Sequence, residues 1–419
     1  MSDQPGIGQT LRASLDLLRT RRFGTFWTAS LLSSIGTWAQ QVAEPWLLLN
    51  LGGSAFVLGL DAFAMNAPVL ALTLLGGVLA DRADRRRVIL LFQSVQMACP
   101  TLIVILLAAG TVRPWMVVAL ALVVGVTDAL SMPSFQSIVP SIVTPRQIDT
   151  AITLNATQFN LSRILGPALA GVLMVSIGAL GCFAVSALSY VPFIVVALWI
   201  LPRRAPAADA RLRIDRRHLF AGIREITRTP HLRGALLTVL VTSACCGPLI
   251  TFVPILVKDA FHAGVRQFSS SLAAFGLGGL IGAAGLLALV AGEDRRLLAS
   301  RFAVAYGAVV MLAALDPWVS ALAALLVGAG VAMTASNTLA NTLLQRTVGP
   351  DLRSQTASLY MLAVRGGRSV GDLATGVSIH VLGVRHALLV NGALAIVLQL
   401  VVGRMWTARP IPVEAESRE

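Results

Sequence analysis

Five charged residues lie in the middle of long apolar stretches of the sequence: Asp128, Arg163, Arg365, Arg368 and Asp372. A charge within the hydrocarbon of a membrane is costly unless it is paired or hydrated, so such residues commonly mark routes for ions and polar molecules. Asp128 and Arg163 stand in neighbouring stretches and can pair, and Arg368 and Asp372 are one helical turn apart on one face. A carboxylate can exchange a proton when its arginine partner moves away. We therefore predict that these four residues couple transport to protons, with the aspartates binding and releasing the proton and the arginines as their charge partners.

Three further charged residues are candidates for lining a polar cavity. Glu44 and Asp61 lie one to two turns from the predicted outer ends of two apolar stretches, and Arg365 lies one turn before Arg368. At each of these positions, and equally at Asp128, Arg163, Arg368 and Asp372, the alternative is a structural ion pair or a side chain that faces water near the membrane surface.

The elements that hold these residues are predicted to be membrane-spanning helices. Of 419 residues, 56% are hydrophobic and only 13% are charged, which leaves too little polar surface to cover a soluble protein of this length. The apolar residues fall in blocks of about twenty, the number that a helix needs to cross about 30 Å of hydrocarbon. The sequence thus predicts an all-α membrane protein with twelve spans, at 24–48, 55–80, 87–110, 114–135, 150–177, 180–201, 233–257, 268–291, 298–315, 317–344, 354–380 and 384–405.

The basic residues predict the orientation of these spans. Of the 33 lysines and arginines, 26 lie on the side of the N-terminus and only four on the opposite side. Since cytoplasmic loops carry the excess of positive charge, both termini are predicted to be cytoplasmic in the inner or plasma membrane. The predicted organisation is a tail, a six-helix half, a linker, a second six-helix half and a tail, at 1–23, 24–201, 202–232, 233–405 and 406–419.

An internal repeat supports the division into two halves. Residues 125–185 match the residues 205 positions later at 12 of 61 positions. The informative matches are Gly125 with Gly330, Pro145 with Pro350, Arg163 with Arg368, Gly166 with Gly371, Gly171 with Gly376 and Gly178 with Gly383. Two six-helix halves in the same orientation are parallel repeats, the arrangement of transporters that alternate access to a site near the bilayer midplane.

The predicted linker contains an amphipathic segment. Leu219, Ile223 and Ile226 share one helical face, and arginines are available for lipid headgroups. This pattern predicts a helix that lies on the cytoplasmic membrane surface at residues 217–226, with a disordered tether as the alternative.

The loop after the second span carries a recognisable motif. Residues 76–87 read G-G-V-L-A-D-R-A-D-R-R-R. This resembles the loop G-x-L-A-D-R-x-G-R-R-x of the major facilitator superfamily, with Asp84 in place of the second glycine. The resemblance implies a twelve-helix major facilitator fold in which Asp81 meets a neighbouring helix N-terminus or arginine and holds the cytoplasmic side in one state. The motif residues with this conformational role would be Gly77, Asp81, Arg82, Arg85 and Arg86.

A second motif lies in the fifth span. Residues 162–171 resemble the element G-x-x-x-G-P-x-x-G-G of drug/proton antiporters in this superfamily, with Gly166, Pro167 and Gly171 as the helix-packing residues. In those antiporters the element accompanies export. The runs at 128–133, 160–167 and 222–233 resemble the transmembrane secretion effector branch, which includes the enterobactin exporter and macrolide-efflux relatives.

These observations together predict a secondary transporter, most simply a proton-coupled exporter of small siderophore-like or drug-like amphipathic molecules. The sequence has no G-x-x-x-x-G-K-[ST] loop for ATP, so uphill transport would draw on an ion gradient. We expect no enzymatic activity, cofactor, metal site or nucleic-acid partner. The expected partners are a small-molecule substrate, protons and membrane lipids, with the monomer as the functional form. The alternatives are a nutrient importer or facilitator of the same fold, and a non-transporting lipid-interacting or sensor protein.

Overall fold

The computed structural model describes residues 7–82, 84–136, 138–201, 228–288, 294–348 and 353–407. The predicted surface helix at 217–226 lies outside these residues. The described residues form helices, turns and loops, without β-strands.

Within the described residues, the first half of the chain forms eight α-helices and the second half forms seven. The helices of the first half are α1 (Ile7–Arg19), α2 (Arg21–Asn50), α3 (Ala55–Arg82), α4 (Arg85–Ala108), α5 (Pro114–Gln136), the short α6 (Ile138–Ile142), α7 (Ile148–Ser176) and α8 (Ala179–Ile200).

The helices of the second half are α9 (Pro230–Val241), α10 (Pro248–Ile255), α11 (Val265–Ala288), α12 (Arg295–Leu315), α13 (Val319–Thr347), α14 (Arg353–Leu382) and α15 (Val384–Thr407). Two π-helical turns, Thr242–Cys246 and Leu256–Ala260, continue α9 and α10, so that residues 230–260 form one long segment.

The described part of the chain therefore contains twelve helical segments of 21 residues or more, each long enough to cross a membrane. Ten of them are also apolar enough to do so by composition. The remaining two are α2, which is rich in Ser, Thr and Gln, and α14, which carries Arg365, Arg368 and Asp372. Because these two helices are the most polar of the twelve, their charged residues are candidates for a functional site.

The structure adds a helix that was not predicted. Residues 7–19, predicted as part of a polar tail, form α1. Leu17 at its end is buried in a cluster with Phe23, Phe26 and Leu154. The apolar residues Ile7, Leu11, Leu15 and Leu18 recur at helical spacing, so the sequence did carry a signal for this amphipathic helix.

The two halves repeat the same helix packing. In the first half α2 packs on α7 and α8, and α4 packs on α8. In the second half α9 packs correspondingly on α14 and α15, and α12 packs on α15. The turns that follow α7 and α14 both use glycine with positive φ, 77° at Gly178 and 78° at Gly383. Because a side chain at such a φ is strained, the same turn explains why both positions of the repeat are glycine.

The described residues form two compact units by their contacts. One contains residues 7–201 together with 251–276, and the other contains 228–250 together with 277–407. The first unit thus includes the end of the segment 230–260 and the first half of α11.

Candidate functional site

Arg368 and Asp372 form an ion pair on α14. Arg368 Nε lies 3.4 Å from Asp372 Oδ2, and the side chain of Asp372 is fully buried whereas that of Arg368 is 40% exposed. The helix places the two residues one turn apart, as their spacing predicts. Arg365, the cavity candidate on the same helix, is half-buried.

Two glycines allow α14 to approach the segment 230–260 closely enough to bury this pair. A Cβ at Gly371 would overlap the backbone carbonyl of Ala244, and one at Gly367 would lie 3.0 Å from the carbonyl of Leu240. Arg368, between these glycines, packs its Cγ near Gly247. The small residues thus fix the position of Arg368 against the π-helical turn Thr242–Cys246.

Arg163 occupies the matching position of the first half, on α7. Its guanidinium lies 5.6 Å from the ring centroid of Trp38 and 5.7 Å from that of Phe275. A guanidinium at this distance from aromatic faces is stabilised by cation–π attraction. Arg163 and Arg368 therefore both pack against the first helical segment of their own half, and the predicted pairing of Arg163 with Asp128 stays a prediction. Asp128 itself is half-buried on α5.

The packing motif of the fifth span lies around Arg163. A Cβ at Gly166 would overlap the Trp38 side chain, and one at Gly171 would lie 3.1 Å from Cβ of Ser269. Pro167 is buried inside α7. Gly166 and Gly371 are equivalent in the repeat, and their contacts, Trp38–Ala39 and Ala244, are equivalent too.

Glu44 and Asp61, from α2 and α3, are the third group. Both are buried, with 5% and 8% of their surface exposed. Glu44 lies six residues before the end of α2 and Asp61 six residues after the start of α3, so the two carboxyls lie at a similar depth on consecutive helices. Gln40 Nε2 donates a 3.3 Å hydrogen bond to Glu44 Oε2, and Ser186 Oγ donates a 2.7 Å bond to Gln40 Oε1. These two polar residues were not identified from the sequence, because Gln and Ser in a span have no distinctive spacing.

The loop motif connects α3 and α4. Gly77, Asp81 and Arg82 lie at the end of α3 and Arg85 begins α4, but the side chains of Asp81, Arg82 and Arg85 are outside the described part of the structure. Arg86 Nη1 donates a 3.3 Å hydrogen bond to the Leu201 carbonyl at the end of α8.

Asp84, the departure from the superfamily motif, is the N-cap of α4: its Oδ1 accepts a 2.9 Å hydrogen bond from Arg86 N. Asp294 caps α12 in the same way, with Arg296 N at 2.9 Å. The Arg296 side chain also donates to both carboxylate oxygens, at 3.1 and 3.0 Å. Partial burial alone would raise the pKa of Asp294, but these hydrogen bonds and the arginine charge lower it below its ordinary value. An aspartate two residues before an arginine at a helix start was the available sequence signal.

The described residues contain no cluster of three or more His, Cys, Asp or Glu side chains that could hold a metal ion. All four cysteines are free and buried. The candidate functional groups described above are charged side chains within the long helices.

The sequence profile of the transmembrane secretion effector family matches residues 12–417 of the chain. The chain belongs to this family. The resemblance of its motifs to that branch of the major facilitator superfamily is thereby confirmed.

Several relatives are named as transporters, two of them for efflux. The staphyloferrin A transporter of Staphylococcus aureus is 26% identical over 61% of this chain and 64% of its own length. The multidrug efflux pump Tap of Mycolicibacterium fortuitum is 23% identical over 88% of this chain and 94% of its own. The macrolide efflux protein A of Streptococcus pyogenes is 22% identical over 91% and 95%.

Solved structures show the same fold. A bacterial homolog of the human lysosomal transporter Spinster, in an inward-facing conformation, superposes with a TM-score of 0.70 at 16% identity and covers 94% of this chain and 99% of that one. The nucleoside transporter NupG gives a TM-score of 0.68 at 14% identity over 93% and 100%. The predicted all-α major facilitator fold of this family member is thus confirmed. It is a multi-pass membrane transporter.

Proposed function

We propose that this protein exports small amphipathic molecules across the cytoplasmic membrane and that inward proton flow drives the export. The observation that carries the proposal is the placement of buried charges in the two most polar of the long helices. α2 holds Glu44, and α14 holds the ion pair of Arg368 and Asp372. Burying these groups in a membrane costs free energy that a purely structural helix would avoid.

The direction of transport is proposed from the relatives and the fifth-span element. Relatives that match nine tenths of the chain are named for multidrug and macrolide efflux, and another for the siderophore staphyloferrin A. Gly166 and Gly171 make close contacts with neighbouring helices and Pro167 is buried inside α7, which supports the transfer of the export-associated element to this chain. The proposal includes cytoplasmic termini, a substrate and protons as partners, lipid surroundings and a functional monomer.

Protonation of a carboxylate and its later ionisation would couple the outward flow of substrate to the inward flow of protons. A carboxylate that faces an arginine stays ionised, and it takes up a proton when the arginine turns to substrate or to another partner. The residues proposed for this exchange are Asp128, Arg163, Arg368 and Asp372. Glu44, Asp61 and Arg365 are proposed to line the cavity that the substrate enters.

Two steps test this function. A deletion strain profiled against a broad panel of toxic compounds identifies those that the protein removes, and everted membrane vesicles then measure accumulation of one such compound. We expect accumulation when the vesicle interior is acidified and its loss after a protonophore is added. Uptake into intact cells would instead show an importer, and the absence of any flux across the panel would favour a non-transporting protein.

The variant Asp128→Asn tests the coupling role. It should abolish uphill accumulation but retain downhill exchange, because substrate binding would survive without proton exchange. The control Asp149→Asn removes an exposed carboxyl on α7 and should transport normally. Uphill export by Asp128→Asn would assign coupling to another carboxyl.

A further inference from the structure

Glu44 and Asp61 are buried carboxyls for which the described residues supply no arginine or lysine partner. They lie at a similar depth on two consecutive helices, six residues before the end of α2 and six residues after the start of α3. Both are more than nine-tenths buried. This arrangement contrasts with Asp372, whose charge Arg368 compensates.

The hydrogen bonds around the two carboxyls are also unequal. Glu44 receives one bond, from the Gln40 amide, whose orientation Ser186 fixes through its own bond to the amide oxygen. Asp61 Oδ1 is buried with no hydrogen-bond donor within the described residues. A buried ionised oxygen without a donor is strongly disfavoured, whereas a protonated carboxyl can donate its own hydrogen bond.

The groups that face the pair from neighbouring helices do not supply positive charge. α4 contributes the Cys99 thiol and α8 the Tyr190 hydroxyl, which lies 3.4 Å from Thr37 Oγ1. α5 contributes apolar side chains up to Val124, with Asp128 one turn further along. The nearest arginine on α7, Arg163, stacks on Trp38, nearly two turns of α2 away from Glu44.

A small cavity lies beside Glu44. It has a volume of about 10 Å³, which is room for a single water molecule. Its lining residues include Gln40, Glu44, Met65 and Cys99. Met65 is one turn from Asp61 on α3, so a water molecule in this cavity contacts Glu44 and lies one helical turn from Asp61.

We propose that Glu44 and Asp61 form a proton-binding pair that holds one proton and releases it when water enters from the cavity beside Glu44. Two carboxylates buried in one region of low dielectric constant, with no cationic partner among the described residues, cannot both stay ionised, so the pair retains a proton. Hydration of the cavity stabilises the ionised form and lets the proton leave. This inference rests on the proposed proton-driven export and adds a second proton-binding site to the four residues proposed above.

Infrared spectroscopy of the purified, lipid-reconstituted protein tests proton binding without any substrate. The carbonyl band of a protonated carboxyl should be present in the wild type at neutral pH. It should be lost in the double variant Glu44→Gln/Asp61→Asn and retained in Asp149→Asn, which removes an exposed carboxyl. The amide replacements have almost the same shape, and melting temperature and size-exclusion profiles establish that the variants are folded. An unchanged band in the double variant would overturn the proposal.

Single variants separate a shared proton from two independent groups. In Glu44→Gln or Asp61→Asn the remaining carboxyl has lost its acidic partner, so its band should shift in frequency relative to the wild type. If the carboxyl bands of the two single variants sum to the wild-type band without a shift, the two carboxyls do not interact, and the pair would be rejected.

Transport in everted vesicles, with the compound found by the strain profiling, tests the coupling role. The double variant should lose accumulation driven by the pH gradient and retain downhill exchange. Gradient-driven accumulation by the double variant would overturn the role of the pair while leaving proton-driven export intact. A wild type that ignores the gradient would refute the proposed function itself, and with it the coupling role, whatever the infrared band shows.

Discussion

At the residue scale, the charges within the membrane helices are compensated in three different ways. Within the described residues, Asp372 has an arginine beside it, Arg163 lies near two aromatic rings, and Glu44 and Asp61 have no cation, with one glutamine bond to Glu44 and no donor to Asp61 Oδ1. Compensation determines what each group can do. A paired or stacked charge is held in place, whereas two uncompensated carboxyls bind a proton.

The ion pair on α14 gives an asymmetric prediction. Arg368→Gln leaves Asp372 ionised, buried and without its cation, which should cost on the order of 3–5 kcal/mol of stability. Asp372→Asn should cost less, because the Arg368 side chain is already 40% exposed and can turn towards water. The double variant should be more stable than Arg368→Gln alone. Melting temperatures of all three proteins in detergent measure these differences, and strictly additive losses would show that the residues are not coupled.

The cap of α12 predicts a pH dependence. Because the pKa of Asp294 is lowered in the folded protein, its carboxylate stabilises the fold above the ordinary aspartate pKa of about 3.9. That contribution disappears as the pH falls through the lower folded value. The melting temperature of Asp294→Asn should therefore lie below that of the wild type at neutral pH and converge with it in acid.

Asp84→Asn is the matched control for this effect, since Asp84 caps α4 with the same 2.9 Å bond but meets only an exposed Arg87 at 3.8 Å. Its melting temperature should fall less at neutral pH. An equal fall in both variants would mean that the arginine bonds of Asp294 contribute nothing beyond the cap.

At the element scale, glycines determine how closely the fifth and eleventh spans approach the first and seventh. Gly166 on α7 and Gly371 on α14 occupy the same position of the repeat, and neither has room for a Cβ. Helices that associate through small residues gain van der Waals contact along their backbones. This close approach places Arg163 on Trp38 and Arg368 beside the π-helical turn.

Gly371→Ala tests that packing. The added methyl group meets the backbone of Ala244, which cannot rotate away, so the helices must separate at a cost of about 1–3 kcal/mol. Gly285→Ala on α11 is the control, because a Cβ there meets nothing within 4 Å. The control should keep or slightly raise the melting temperature, whereas Gly371→Ala should lower it by several degrees. Equal effects would show that close packing at Gly371 is not required.

At the scale of the whole molecule, the repeat and the basic residues predict how the chain crosses the membrane. Even numbers of spans leave both termini on one side, and 26 of 33 basic residues share that side. Thr111 lies in an exposed loop before α5, and Thr144 lies in an exposed loop after α5 and the short α6. The two residues should therefore face opposite compartments.

Cysteine labelling tests this topology, since all four native cysteines are buried. A membrane-impermeant maleimide added to intact cells should label Thr111→Cys and not Thr144→Cys. After the cells are opened, both should react. The reverse pattern would place the termini outside and invert the direction of transport that we propose.

The sequence alone determined the features that depend on local periodicity and composition. Apolar blocks predicted the spans, the ordered Gly, Pro and Arg matches predicted the repeat, and the spacing of Arg368 and Asp372 predicted their ion pair because a helix fixes which residues share a face. The loop motif sufficed to indicate the superfamily, and the runs at 128–133, 160–167 and 222–233 indicated its branch. Glu44 and Asp61 were also recognisable as charged residues within spans, but the sequence did not predict that they form a pair.

Only the tertiary structure decided which side chains meet across helices. Glu44 and Asp61 come from different helices, and the rings that enclose Arg163 belong to α2 and α11, more than a hundred residues away on either side. Contacts of this kind depend on the rotation and separation of packed helices, which glycines such as Gly166 set through backbone contacts. Hydrophobic periodicity specifies that a helix is buried and on which face, but it does not specify the partner that buries it.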